Sequence, residues 1–118
     1  MQPFQKKTSR YLGSSFPTLI RMENIIFENN RLRVIGSVTF ANVAEITRAG
    51  MTVINQMESV VDLAKVTELD SAAVSMLLAW LRTAQKNGQQ LRLINLPQNL
   101  VSLIRLYDLT ELLPLELD

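Results

Sequence analysis

The stretch VVDLAKVTELDSAAVSMLLAWL, Val60 to Leu81, decides how this chain folds. It opens on an apolar run with β-branched Val60 and Val61, as a central strand buried on both faces would, so Ser59 to Leu63 is expected to be a strand. A short polar turn follows, and a helix opens on Asp70-Ser71 and runs to about Asn87. Gly88 ends it, because glycine takes the left-handed C′ conformation at no steric cost. A strand, a short connection and a long helix predict a parallel, right-handed crossover.

Working outward from this unit, Asn24 to Phe27, Asn29-Asn30 and Leu32 to Val38 read as a β-hairpin, because Asn tolerates the positive φ of tight hairpin turns. From Asn42 to Met57, Val43, Ile46, Val53, Ile54 and Met57 fall on one helical face, with Glu45, Arg48, Thr52 and Asn55 on the other. Gly50 lies on the buried side at a cost of up to about 1 kcal/mol of helix propensity relative to Ala, which predicts close packing there against a strand. Gln90 to Asn95 supplies a further strand. Pro97 stands where a first helical turn accepts proline, and Leu100, Val101, Leu103, Ile104 and Tyr107 carry the last helix. The expected fold is α/β, with the order β-β-α-β-α-β-α and a mixed, mostly parallel four-stranded sheet that begins with a hairpin.

The 118 residues, 47% of them apolar, suit one domain with one core. Histidine and cysteine are both absent, which removes Cys/His zinc sites, His-dependent nucleophilic triads and disulfides. There is no run of 18 apolar residues to span a bilayer and no secretory leader pattern, so a cytoplasmic location is expected. Lys6, Lys7, Arg10 and Arg21 make residues 1–21 basic with no acid, whereas the remainder holds 8 basic against 11 acidic residues. That acidic balance argues against nucleic-acid binding. Residues 1–21 are expected to be a flexible basic extension, and residues 22–118, from the second methionine Met22, the folded domain.

Asp70 and Ser71 compete for the N-cap, where a side-chain oxygen accepts an orphaned backbone N–H. Capping alone explains the pair, but small Ala72 and Ala73 leave the first turn open to a docking surface. At 100° spacing, Val74, Leu77, Leu78, Leu81 and Ala84 make the core stripe of this helix, with Ala73 and Trp80 at its edge. Ala72, Met76, Ala79 and Thr83 then share the outer side with Ser75, Arg82 and Lys86. The strip Ala72, Met76, Ala79 is expected to be exposed, either as an interaction patch or as ordinary scattered apolar surface. On the interaction reading, the partner-binding residues are Asp70, Ser71, Ala72, Ala73, Ser75, Met76, Ala79 and Thr83. Asp62, Glu68 and Asp70 lack the spacing of a metal or acid–base site, and Asp62 is expected at the end of its strand, bonded to a nearby loop. No catalytic residue, metal or cofactor is expected.

V-V-D-L-x-x-V-x-x-L-D-S from Val60 to Ser71, the Leu-rich helix, Asn87-Gly88 and the strand Leu91 to Leu96 resemble the STAS domain family, over about residues 24–115. In anti-sigma factor antagonists of this family the turn reads Asp-Ser-Ser-Gly, and a partner kinase phosphorylates the second serine. Ala72 and Ala73 replace that serine and glycine here. The turn Asp70-Ser71-Ala72-Ala73, with Ile104-Arg105-Leu106-Tyr107-Asp108-Leu109 before Pro114, is more similar to the MlaB-like STAS subunits of phospholipid-trafficking ABC transporters, also known through toluene tolerance. That resemblance implies a non-enzymatic cytoplasmic subunit that docks on the transporter's ATPase subunit through Ser71 and its surroundings, meeting the membrane only through the complex. The alternative it implies is an anti-sigma factor antagonist with Ser71 as its phosphorylation site.

Overall fold

A computed structural model describes residues 19–55 and 59–113. The elements run β1 (Leu19–Met22), β2 (Ile25–Glu28), β3 (Arg31–Val38), α1 (Val43–Ile54), β4 (Ser59–Leu69), α2 (Ala72–Lys86), β5 (Leu91–Ile94) and α3 (Gln98–Leu106). They build one five-stranded sheet in the order β1-β2-β3-β4-β5. The first two pairings are antiparallel and the last two parallel. Two successive right-handed crossovers moving the same way along a sheet place their helices on one face. Ile25, Phe27, Leu32, Val34, Val61 and Leu93 point to that face and are buried there with the inner sides of the helices.

The expected hairpin is β2–β3, and its Asn29 and Asn30 both take positive φ, 56° and 61°, which is the backbone of a two-residue type I′ turn. The sheet has five strands rather than the expected four. Leu19–Met22 adds to the free side of β2, so a stretch expected to belong to a flexible extension contributes an edge strand. Residues 1–18 lie outside the described residues, as does Met57. Strand β4 runs on to Leu69 rather than turning after Leu63, because Lys65 to Leu69 keep pairing with β3 through two register shifts. The alternation that a polar turn would break is broken instead by bulges.

Both long helices end as their sequences demand. In α2, Gly88 has φ 67°, and the N–H groups of Gly88 and Gln89 bond the carbonyls of Gln85 and Ala84 at 3.2 and 2.8 Å, a Schellman ending. Pro97 sits one residue before α3 rather than inside it. Asn42 makes no side-chain cap to α1. Its amide turns back to the sheet, donating to the Ser37 carbonyl at 2.9 Å while its oxygen accepts from the Thr39 N–H at 3.0 Å.

Gly50 is buried against Trp80 of α2, not against a strand. A methyl group at Gly50 would overlap the indole ring. The ring is fully buried, and its Nε1 donates to the Thr47 carbonyl of α1 at 2.9 Å. An indole donor in a core needs such an acceptor, and the missing side chain at Gly50 lets the ring reach it.

Asp62 is the one charged or polar residue among the described residues that is buried. It lies within β4, not at its end, on the sheet face away from the helices, paired with Arg33 on one side and Ile94 on the other. Its Oδ1 accepts from the Ala64 N–H and from Asn95 Nδ2, both at 3.0 Å, and its Oδ2 lies 3.4 Å from Arg31 Nη1. Burial by itself raises the pKa of this carboxyl. The two hydrogen bonds and the charges of Arg31 and Arg33 outweigh that effect and hold it below its ordinary value of 3.8.

Two measurements check this packing. Gly50→Ala gains helix propensity but forces the ring aside, and overpacking of this kind costs about 1–3 kcal/mol, so its urea midpoint should fall; a rise would contradict the fit. The depressed pKa of Asp62 makes its contribution fully present well above its ordinary value of 3.8 and progressively lost as the pH falls through and below that value. Wild-type stability should therefore drop more steeply than that of Asp62→Asn on acidification from about pH 5, and parallel curves would contradict the assignment.

Candidate functional site

Two helix-opening loops lie side by side beyond the C-terminal ends of the parallel strands β3 and β4, the edge at which open α/β sheets bind ligands and partners. Thr39 to Asn42 leads into α1, and Asp70-Ser71 leads into α2. Asp70 joins them: its Oδ1 accepts the Ala72 N–H at 2.8 Å and its Oδ2 accepts the Phe40 N–H at 3.2 Å. The competition for the N-cap thus goes to Asp70, and Ser71, half-buried in helical geometry, makes no capping bond.

The Phe40 backbone is tied down at this point. Phe40 is 75% exposed, the most exposed large apolar side chain among the described residues. A groove of about 440 Å³ opens between α1 and the first half of α2. Val43, Ala44, Thr47, Arg48 and Met51 line its α1 side, and Ser75, Met76 and Ala79 its α2 side. Helices packed around the Trp80 ring form this furrow.

Of the residues expected from sequence, exposed Ser75 and half-buried Ala79 line this groove, and Asp70 and Ser71 immediately precede the helix that carries them. Thr83 lies further along, in the polar continuation of the furrow, with its hydroxyl bonded to the Ala79 carbonyl at 3.0 Å. The exposed strip expected at Ala72, Met76 and Ala79 does not form. Ala72, Ala73 and Met76 are buried, because Trp80 turns inward to meet α1 and carries the core face of α2 round with it. Met76 reaches the groove only as its floor. Leu78 and Leu81, expected in the core stripe, are correspondingly half-buried. Phe40, Val43 and Ala44 were not legible as part of the site; an aromatic placed between a strand and a helix was the available signal.

Among the described residues no group of three or more carboxylates gathers as metal ligands would, and no helix is long and apolar enough to cross a membrane.

Comparison with known proteins agrees with this architecture. The family model described as "Mlab, STAS domain" matches residues 23–114. No curated protein matches the chain. Among solved structures, a chain of the Acinetobacter MlaFEDB complex in an ATP-bound Vtrans2 conformation is 29% identical, with a TM-score of 0.63 over 75% of this chain and 95% of that one. The same complex in its ATP-bound Vtrans1 conformation gives 26% identity and a TM-score of 0.64 over 78% and 97%. The anti-sigma factor antagonist SpoIIAA in its unphosphorylated form shares the fold at 16% identity, with a TM-score of 0.61 over 83% and 84%.

The division of labour between the two turn residues is testable by denaturation. Asp70→Ala removes two acceptors and should cost about 1–2 kcal/mol, whereas Ser71→Ala should stay within about 0.5 kcal/mol of wild type. The reverse order would mean that Ser71 is the cap.

Proposed function

The chain belongs to the MlaB STAS-domain family, and we propose that it is a non-enzymatic accessory subunit of a phospholipid ABC transporter. It docks on the transporter's ATPase subunit through Phe40, the Asp70-Ser71 turn and the groove between α1 and α2. The observation that carries this reading is Phe40, an exposed aromatic ring on the loop that the Asp70 carboxylate pins, next to a hydroxyl with no capping bond and just before the α1 residues that line an apolar furrow. Aromatic anchors next to pockets are what dominate protein–protein interfaces. That the aligned relatives are chains of ATP-bound complexes supports an ATPase as the partner. In this reading the protein sits at the cytoplasmic face of the inner membrane through its partner, without a cofactor and without contacting nucleic acid.

The buried position of Met76 makes it a poor test residue, because charge placed there would disturb the core. Phe40→Asp with Ser75→Glu places two charges on exposed positions of the docking surface, where an unpaired charge buried on binding costs several kcal/mol. Co-expressed with the cognate ATPase subunit, the wild-type chain should retain it through purification, and the double variant should lose it while keeping its melting temperature. Equal retention would overturn the proposal. Capture of an anti-sigma factor instead, with phosphate on Ser71, would favour the regulatory alternative.

A further inference from the structure

The furrow between α1 and α2 does not end with its apolar half. Arg48 and Met51 line that half and also a second stretch of about 510 Å³, which continues between Thr52 and Asn55 at the end of α1 and Thr83, Lys86 and Asn87 at the end of α2. Because both helices follow parallel strands, they run in the same direction, and the furrow passes from an apolar head to a polar tail. Arg48 and Lys86 bring two positive charges to that tail, and none of its lining residues among the described ones is acidic. Both are exposed, and neither is ion-paired among the described residues. Glu45, one turn before Arg48, faces the other side of α1, where it lines a small cavity with Met22 and Ile25. The Ala84 and Gln85 carbonyls in the last turn of α2 are already taken by the Gln89 and Gly88 N–H groups, which lessens the free negative charge that the helix end sets against the cations.

We infer that the polar end of this furrow is a charge-selective subsite for the docking protein. Arg48 and Lys86 receive carboxylate side chains from a segment whose apolar residues lie against Met76 and Ala79. This rests on the docking reading above and adds the chemistry of the partner to it: an amphipathic segment, apolar toward the Phe40 end and acidic toward the Asn87 end. Amphipathic helices seat in grooves of this kind. An acidic end meeting Arg48 and Lys86 would fix which way the segment lies, since a reversed segment would put its carboxylates on an apolar floor. A flat anionic bilayer is a poorer occupant, because it cannot enter a furrow and two cations are few to hold a protein on it.

The test measures binding of the purified cognate ATPase subunit, by biolayer interferometry, at low and high salt. The variants are Arg48→Glu/Lys86→Glu, Arg48→Gln/Lys86→Gln, Phe40→Asp, and Arg82→Glu as an exposed control outside the furrow. Wild-type affinity should weaken with salt. The double charge reversal should weaken it at least tenfold at low salt, the double Gln variant should weaken it less and flatten the salt dependence, and Arg82→Glu should stay within about twofold. All these positions are exposed, and unchanged melting temperatures confirm the fold. If charge reversal leaves affinity and salt dependence unchanged while Phe40→Asp abolishes binding, the subsite is wrong and the docking reading stands. If the wild type does not bind the ATPase subunit at all, both fall. Salt-sensitive binding to phosphatidylglycerol-containing vesicles that is lost in the charge-reversal variant, with ATPase binding unaffected, would assign the two cations to lipid and overturn the inference.

Discussion

The closeness of α1 to α2 depends on one hydrogen bond and one missing methyl group. The Trp80 indole reaches the Thr47 carbonyl only because position 50 has no side chain. Helix axes usually pack 8–10 Å apart, with the side chains at the contact setting the distance; here the largest side chain of the chain meets the smallest. Once the ring is seated, the rotation of α2 about its axis is settled. Met76 is carried beneath α1, Ala79 stands at the edge of the furrow, and Ser75 faces solvent. The surface proposed for docking is thus an outcome of core packing rather than a separate device.

Most of the architecture was legible from local chemistry. The Asn29-Asn30 turn, the Gly88 ending and the apolar runs at Val60 and Leu91 each act through backbone preferences that need no distant partner. The exceptions are places where a distant partner decides. Strand β4 continues through Ala64 to Leu69 because β3 is there to pair with it, although the sequence of that stretch is polar enough to turn. Strand β1 is short, and only its pairing with β2 makes it a strand. Gly50 was correctly placed on a close contact, but the partner across that contact could not be read from a helical period.

The candidate site was legible as a location and not as a surface. The turn at Asp70-Ser71 announces itself through capping chemistry, which is local. Which residues of α2 face outward is not local, because an apolar stripe wider than the core leaves its centre undetermined. The eventual centre lies nearer Trp80 than an even reading of the stripe suggests. Phe40 is harder still: the loop that carries it is held by an acceptor 30 residues away. A ring next to the strand end Val38 would otherwise be read as strand.

The extra length of β4 has its own consequence. Strand β5 pairs only with Ser59 to Asp62, so from Leu63 to Leu69 one side of β4 has no neighbouring strand among the described residues. Such a margin is a template on which another chain can extend a sheet, the first step toward aggregation. Here the Ala64 N–H is already held by Asp62, exposed Lys65 and Glu68 place charges along the strand, and the register shifts bend it. The carboxylate that knits β3, β4 and β5 together also spoils the first rung of an unwanted ladder, so the buried charge guards the solubility of the sheet as well as its order.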